Sequence, residues 1–144
     1  MIICTIGFTK KSAEDFFELL QKNNVNVLID IRLNNNSQLA GFSKGRDLKY
    51  FLSRLCNCEY YHDLDFAPTK EILDSYKNNT SSWEEYEKDF IPLLNARNAK
   101  AKFDEKYRTH RCVCLLCSEP TSEHCHRRLV AEHVSNPNDI VIHL

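Results

Sequence analysis

The chain has 144 residues, which is the usual size of one domain and is enough to bury a core without disulfides or a structural metal. Its 42% hydrophobic and 27% charged residues are typical of a folded globular protein and exclude a disordered one. The formal net charge of −1 excludes the global basic field of proteins that bind along nucleic-acid backbones.

Seven cysteines are many for this length. A secretory signal needs a basic start and a sustained apolar run, but the segment from Met1 to Cys4 leads directly into Thr5 and Gly7. No apolar run approaches about 18 residues, so no membrane span is predicted. We therefore expect a cytoplasmic protein whose thiols stay reduced.

Apolar runs and capping patterns predict alternating strands and helices in one domain over residues 1–144. Strands are predicted at residues 2–6, 25–31, 58–62, 111–117 and 140–142. Helix starts are predicted at Ser12, at Asp47, at Thr69 and at a capping box of Ser81 with Glu84, and a last helix at 125–135. Pro92 is expected to kink or split the fourth of these helices.

This alternation predicts the fold class: α/β, a single three-layer domain with a mostly parallel sheet of about five strands and helices on both faces. Ligands of such sheets bind outside the carboxyl ends of the strands. The last residues of the first four predicted strands give the candidates for such a site, which are Thr5 and Gly7, Asp30 and Arg32, His62 and Asp63, and Cys117 and Glu119.

The segment from Cys117 to Arg127 concentrates reactive side chains between a buried strand and a helix. The free N–H groups of a first helical turn attract anions and lower the pKa of a nearby thiol. Helical spacing places Arg127 in register with Val130 and Val134, so Arg127 and its neighbour His126 are expected to point inward. A buried arginine in this position requires a carboxylate or an anionic ligand.

Three interpretations of this segment compete. In the first, Arg127, His126 and the helix start bind a phosphate or carboxylate, and Cys117 or Cys125 is a nucleophile or redox thiol. In the second, the two cysteines and a histidine bind zinc, although their spacing is unlike paired C-x-x-C motifs. In the third, Glu119 pairs with Arg127 and the segment is structural.

Asp30 and Arg32 are two residues apart on a strand and therefore face the same side. This pair is either a salt bridge or an acid–base group held ionised by the arginine. A more specific hypothesis is that Asp30 clamps Arg127 while Arg32 reaches the ligand.

Read together, these residues resemble the family known as domain of unknown function 488. The resemblance rests on Thr5-Ile6-Gly7, on Asp30-Ile31-Arg32 followed by Ser37 and Phe42, and above all on Leu115-Leu116-Cys117-x-Glu119-x5-Cys125-His126-Arg127. It implies that the residues of this last string form the family motif, and it adds Ser37 to the ligand-binding candidates. It implies no reaction.

The leading hypothesis is a small enzyme whose Cys/His/Arg site takes a phosphorylated, nucleotide-like or nucleic-acid ligand. Its proposed catalytic residues are Cys117, Cys125, Asp30 and Glu119, and its ligand-binding residues are Arg127, His126, Arg32, Thr5, Gly7 and Ser37. No cofactor or metal is assigned. The alternatives are a non-catalytic nucleotide or nucleic-acid binding module, and a zinc site. A fully buried Arg127 paired with Glu119, without a cavity beside it, would contradict the leading hypothesis.

Overall fold

A computed structural model describes residues 1–36 and 40–144. The strands of the described chain are β1 (Ile2–Gly7), β2 (Val27–Asp30), β3 (Glu59–His62), β4 (Cys112–Cys117) and β5 (Ile140–His143). The α-helices of the same residues are α1 (Ala13–Lys22), α2 (Gly45–Phe51), α3 (Lys70–Lys77), α4 (Trp83–Ala96), α5 (Ala99–Tyr107) and α6 (His126–Val134).

The five strands form one parallel sheet in the order β3-β2-β4-β1-β5. The predicted α/β fold is therefore confirmed. β4 lies at the centre, with Gly7 of β1 beside Cys117 on one side and Asp30 of β2 beside Leu116 on the other. Three of the predicted strand ends therefore meet at one place on the carboxyl edge.

Two hydrophobic cores cover the two faces of the sheet. On one face, Phe16 of α1 and Leu48 of α2 pack over Cys4, Leu28 and other alternate strand residues. On the other face, the helices α4, α5 and α6 pack over the remaining strand residues, with Phe90, Phe103 and Val130 among the buried side chains. The period-two alternation of the strands thus divides the core into two layers, one on each side of the sheet.

The helix starts were predicted with mixed accuracy. Ser12 and Thr69 cap α1 and α3 as expected, because their hydroxyls accept hydrogen bonds from the N3 backbone N–H groups. Asp47 is not a cap and lies in the first turn of α2. The capping box of α4 lies one residue later than predicted, at Ser82 and Glu85.

Of the two effects expected of Pro92, a kink or a split, the split does not occur. α4 runs from Trp83 to Ala96 with Pro92 inside it. Pro92 lies on the exposed side, so the backbone carbonyl of Lys88, which loses its helical donor, can bind water instead.

Among the described residues, no helix combines the length and apolar character needed to cross a membrane.

Candidate functional site

Cys117 and His126 form a hydrogen-bonded pair at the carboxyl end of the central strand. Nδ1 of His126 lies 3.4 Å from Sγ of Cys117, and Nε2 lies 2.9 Å from the backbone carbonyl oxygen of Ile31. Because a carbonyl only accepts, Nε2 carries a proton and donates it to Ile31. In the neutral ring Nδ1 is then the basic nitrogen, and it faces the thiol.

Helix α6 positions this pair. It begins at His126, directly after the extended residue Cys125 at its N-cap, and the strand that carries Cys117 ends nine residues earlier. Its inward stripe includes His126, Arg127 and Val130, all of which are buried. The helical phase read from the sequence therefore orients both predicted site residues correctly.

Cys125 is the second thiol of the site, and its sulfur, that of Cys117 and a ring nitrogen of His126 all lie within 4.8 Å of one another. The pKa of Cys117 is lowered, chiefly by a hydrogen bond from the Cys125 thiol. Burial opposes this shift, while the Ser118 and Glu119 backbone N–H groups and the Arg127 charge reinforce it. Burial is the main factor that raises the pKa of Cys125. Cys117 is therefore the more acidic of the two thiols.

Arg127 is almost completely buried, at 1% exposure. Its Nη1 donates to the backbone carbonyl oxygen of Glu119 at 2.5 Å and to Sγ of Cys125 at 3.5 Å. The Glu119 carboxylate is exposed, and Arg127 forms no ion pair with any carboxylate of residues 1–36 and 40–144. The Glu119 side chain therefore does not neutralise Arg127, but the arginine is buried against the Glu119 backbone, which meets part of the condition that would contradict the leading hypothesis.

Gly7 is required by this close packing. A Cβ at position 7 would lie 1.7 Å from the carbonyl oxygen of Glu119 and 2.8 Å from Nη1 of Arg127. The missing side chain lets the loop after β4 fold down onto the end of β1 and bring its carbonyl to the guanidinium. Gly7 thus contributes to the site by its lack of a side chain.

Asp30 and Arg32 form a bidentate ion pair that is buried on both sides. Nη2 and Nε of Arg32 lie 2.6 Å and 2.8 Å from the two carboxylate oxygens of Asp30. Tyr60 donates to Asp30 Oδ2 at 2.7 Å, and Arg32 Nη2 also donates to the Ser43 carbonyl at 2.6 Å. Asp30 therefore pairs with Arg32, and the hypothesis that it clamps Arg127 is wrong.

Each arginine has one buried nitrogen without a hydrogen-bond partner. Within the described part of the chain, the buried side-chain nitrogens without a hydrogen-bond partner are Nη1 of Arg32 and Nε of Arg127. A buried donor left unpaired costs about 1–3 kcal/mol, so each is expected to have a partner when the site is occupied. A phosphate or carboxylate oxygen is the partner that a guanidinium N–H prefers.

Lys11 adds a third cation, which the sequence interpretation missed. The pKa of its ammonium group is lowered, first by partial burial and then by the Arg127 charge. Lys11 follows β1 by four residues, so the Lys10-Lys11 pair just after a strand end was the available signal. The edge that carries the reactive thiol is thus locally positive in a chain of nearly neutral charge.

Tyr60 and His62 were also undervalued by the sequence interpretation. Tyr60 completes the Asp30 hydrogen bonds described above, and Nε2 of His62 lies 2.8 Å from the backbone carbonyl of Arg32. Both come from β3, the strand beside β2. The sequence interpretation had already placed His62 at this edge as the end of a strand, whereas only the adjacency of β3 to β2 would have placed Tyr60 there.

Thr5 stands apart from this cluster. The Thr5 hydroxyl lies 2.7 Å from Nδ1 of His143, so it is occupied within the protein. Ser37 falls outside the described residues.

Three surface grooves of the described chain, of about 290, 380 and 560 Å³, lie away from this cluster and are lined by residues of α1, of α2 and its flanking segments, and of β3. None of their lining residues belongs to the Cys117–Arg127 segment. Because Cys117 is only 5% exposed, a ligand reaches its sulfur only after neighbouring groups shift.

Comparison with known proteins identifies the family. The family model described as Domain of unknown function DUF488 matches residues 12–134. Neither the curated proteins nor the solved structures include a significant match to the chain. The chain belongs to the DUF488 family, and the resemblance inferred from the motif is confirmed.

Proposed function

We propose that this DUF488 protein is a small cysteine-dependent enzyme that removes a phosphoryl group from a phosphorylated substrate through Cys117. The observation that carries the proposal is one juxtaposition. A thiol with a lowered pKa and a histidine base lie at the same strand edge as two buried arginines, each with an unpaired N–H. A thiolate beside unsatisfied cationic donors is suited to attack an anionic substrate.

The residues divide the chemistry between them. Nδ1 of His126 takes the Cys117 proton, and the sulfur attacks phosphorus, so that an S–P bond forms while the P–O bond to the leaving group breaks. The leaving oxygen takes the proton from His126. Water then cleaves the S–P bond; its oxygen joins the phosphate and one proton returns to sulfur.

The arginines and their partners hold the anion in this scheme. Nε of Arg127 and Nη1 of Arg32 bind phosphate oxygens. Asp30 fixes the Arg32 guanidinium and Glu119 fixes that of Arg127 through its backbone carbonyl. In this assignment Asp30 and Glu119 are positioning residues, and neither transfers a proton.

Turnover of p-nitrophenyl phosphate tests the proposal. We expect hydrolysis by the wild-type protein, a phosphoryl adduct on Cys117 after acid quenching, and at least 100-fold slower turnover for Cys117→Ser. The matched control is Cys58→Ser, since Cys58 is equally buried but packs in the core of the opposite face. Phosphate binding without Cys117-dependent turnover would support the non-catalytic binding module instead. Absence of both binding and turnover would refute the proposal.

A metal site is the second candidate, because Cys117, Cys125 and His126 offer three soft ligands within 4.8 Å of one another. Two thiolates, one imidazole and a water form a known catalytic zinc set. The adjacent Arg127 charge disfavours a cation here, which is why this candidate ranks second. Metal content per chain, measured after purification under reducing conditions without chelator, separates the two. Near-stoichiometric zinc that is lost in Cys117→Ser and Cys125→Ser would establish the metal site.

A further inference from the structure

Three aromatic rings form a stack beside the proposed phosphate site. Trp83 lies parallel to Tyr86, with ring centroids 5.0 Å apart and an interplanar angle of 12°. It also stacks with His124, at 5.4 Å and 24°. We call Tyr86, Trp83 and His124 the aromatic stack. Tyr86 and Trp83 are buried, whereas His124 is exposed, so the stack ends in an imidazole at the surface.

The aromatic stack is held in place by a network of charged groups. The indole N–H of Trp83 donates to Glu87 at 2.8 Å. Arg128 donates to the same carboxylate oxygen at 2.5 Å and to the Glu123 carbonyl at 3.2 Å, and its guanidinium lies 5.9 Å from the Trp83 ring centroid. The backbone just before His124 is thereby tied to the same arginine that covers the indole. The exposed ring is pre-ordered, which lowers the entropy cost of stacking a ligand on it.

The stack and the phosphate site are directly adjacent along the chain. His124 precedes Cys125, whose sulfur contacts Nη1 of Arg127. Consecutive Cα atoms are 3.8 Å apart, so the Cα atoms of His124 and Arg127 are at most about 11 Å apart, a distance that one nucleotide can span. A phosphate group and a flat aromatic group held a short distance apart are the defining features of a nucleotide.

We infer that the phosphorylated substrate is a free mononucleotide whose base stacks on His124, an inference that rests on the phosphate site proposed above. Bases stack on aromatic side chains through their π-faces, largely independently of sequence. The negative charge near the aromatic stack favours a free nucleotide over a nucleic-acid strand. The first turn of α4 carries Glu84 and Glu85, next to the stacked Trp83, and these carboxylates repel a phosphodiester backbone.

Isothermal titration of Cys117→Ser protein, which should bind phosphate monoesters without turning them over, with inorganic phosphate, ribose 5-phosphate, adenosine 5′-monophosphate and a short oligoadenylate tests the inference. We expect the mononucleotide to bind at least fivefold more tightly than ribose 5-phosphate. The His124→Ala variant should lose this advantage while keeping its affinity for inorganic phosphate, and His124→Phe should retain the advantage. His110→Ala is the matched control, because His110 lies just before β4 at the opposite edge of the sheet and should change nothing.

The outcomes are distinguishable. If inorganic phosphate and ribose 5-phosphate bind but the nucleotide binds no more tightly, the base site is refuted and the proposed phosphate site stands. If His124→Ala still binds the mononucleotide more tightly than ribose 5-phosphate, the base does not stack on His124, and the inference is also overturned. Tighter binding of the oligonucleotide than of the mononucleotide contradicts a free nucleotide substrate. If none of the phosphorylated probes binds, both the inference and the proposed function fail.

Discussion

Two arginines are buried at the same edge of the sheet, and their charges are balanced in different ways. Arg32 is 3% exposed and pairs with the fully buried carboxylate of Asp30. Arg127 is 1% exposed and contacts a backbone carbonyl and a thiol, with no carboxylate partner in the described ranges. A buried charge without an opposite charge is costly. The protein itself neutralises Arg32, whereas no carboxylate of the described residues neutralises Arg127; in the proposed function a bound phosphate supplies that charge.

The surroundings of Arg127 strengthen this contrast. The pKa values of Lys11 and His143 are both lowered, first by partial burial and then by the Arg127 charge. Burial is the larger cause of both shifts, and the Arg127 charge adds to it because a cation disfavours protonation of its neighbour. An anion placed among these groups would relieve the repulsion, which is the arrangement expected of a phosphate site.

Replacement of Arg32 gives the largest expected effect. In Arg32→Met the Asp30 carboxylate stays buried and loses its counter-charge, so the free energy of unfolding should fall by about 3–5 kcal/mol. Urea denaturation measures this loss. The double variant Arg32→Met/Asp30→Leu removes both charges and should recover most of it. If the single variant is as stable as the wild type, the distinction between the two arginines is wrong.

Gly7→Ala probes the contact that holds Arg127. The added methyl group would overlap the Glu119 carbonyl oxygen, since an ideal Cβ lies 1.7 Å from it. Overpacking of this kind typically costs about 1–3 kcal/mol, and we expect the upper end because backbone must move. The matched control is Gly41→Ala, where a new Cβ meets no atom of the described residues within 4 Å. Equal denaturation midpoints for the two variants would contradict the required close approach at Gly7.

The sequence predicted the inward orientation of Arg127 but not its partner. Orientation follows from the helical period, since Arg127, Val130 and Val134 share one face of α6. The partner depends on where the loop after β4 returns, and that is set by the missing side chain of Gly7 rather than by any charged pattern. The Asp30–Arg32 pair followed from the spacing of two residues on a strand, whereas the more specific hypothesis that Asp30 clamps Arg127 failed because the local pair already occupies the carboxylate.

The strand positions were predictable for a simpler reason. Continuous β-branched and leucine runs mark strands buried on both faces, and the alternation with helices requires parallel pairing. The order of the strands was not predicted, because every crossover helix is compatible with several neighbours. Tyr60 lies at the site because of this order, since its strand β3 lies beside β2.

Tyr60→Phe should lower the free energy of unfolding less than Arg32→Met does. It removes the hydroxyl that donates to Asp30 at 2.7 Å, and a hydrogen bond to a charged group contributes about 1.5–3 kcal/mol. Because the ion pair itself remains, we expect the free energy of unfolding, measured by urea denaturation, to fall by only about 1.5 kcal/mol. Tyr61→Phe is the control, since its hydroxyl bonds the exposed Glu59 and should contribute less than about 0.5 kcal/mol. If Tyr60→Phe lowers the free energy of unfolding no more than Tyr61→Phe does, the Tyr60 hydroxyl does not stabilise the buried Asp30 carboxylate.

Arg127→Met should change the stability least and ligand binding most. The substitution leaves the Glu119 carbonyl without its donor, which costs about 1–3 kcal/mol, but it also removes an uncompensated buried charge. These opposing effects should leave the free energy of unfolding within about 1 kcal/mol of the wild type, while binding of inorganic phosphate falls at least tenfold. Urea denaturation and isothermal titration of the same preparation measure the two quantities.

A loss of stability as large as that of Arg32→Met would show that Arg127 is also neutralised within the protein, and unchanged phosphate binding would exclude Arg127 from the anion site. The two arginines differ in function only if stability depends on Arg32 and phosphate binding depends on Arg127.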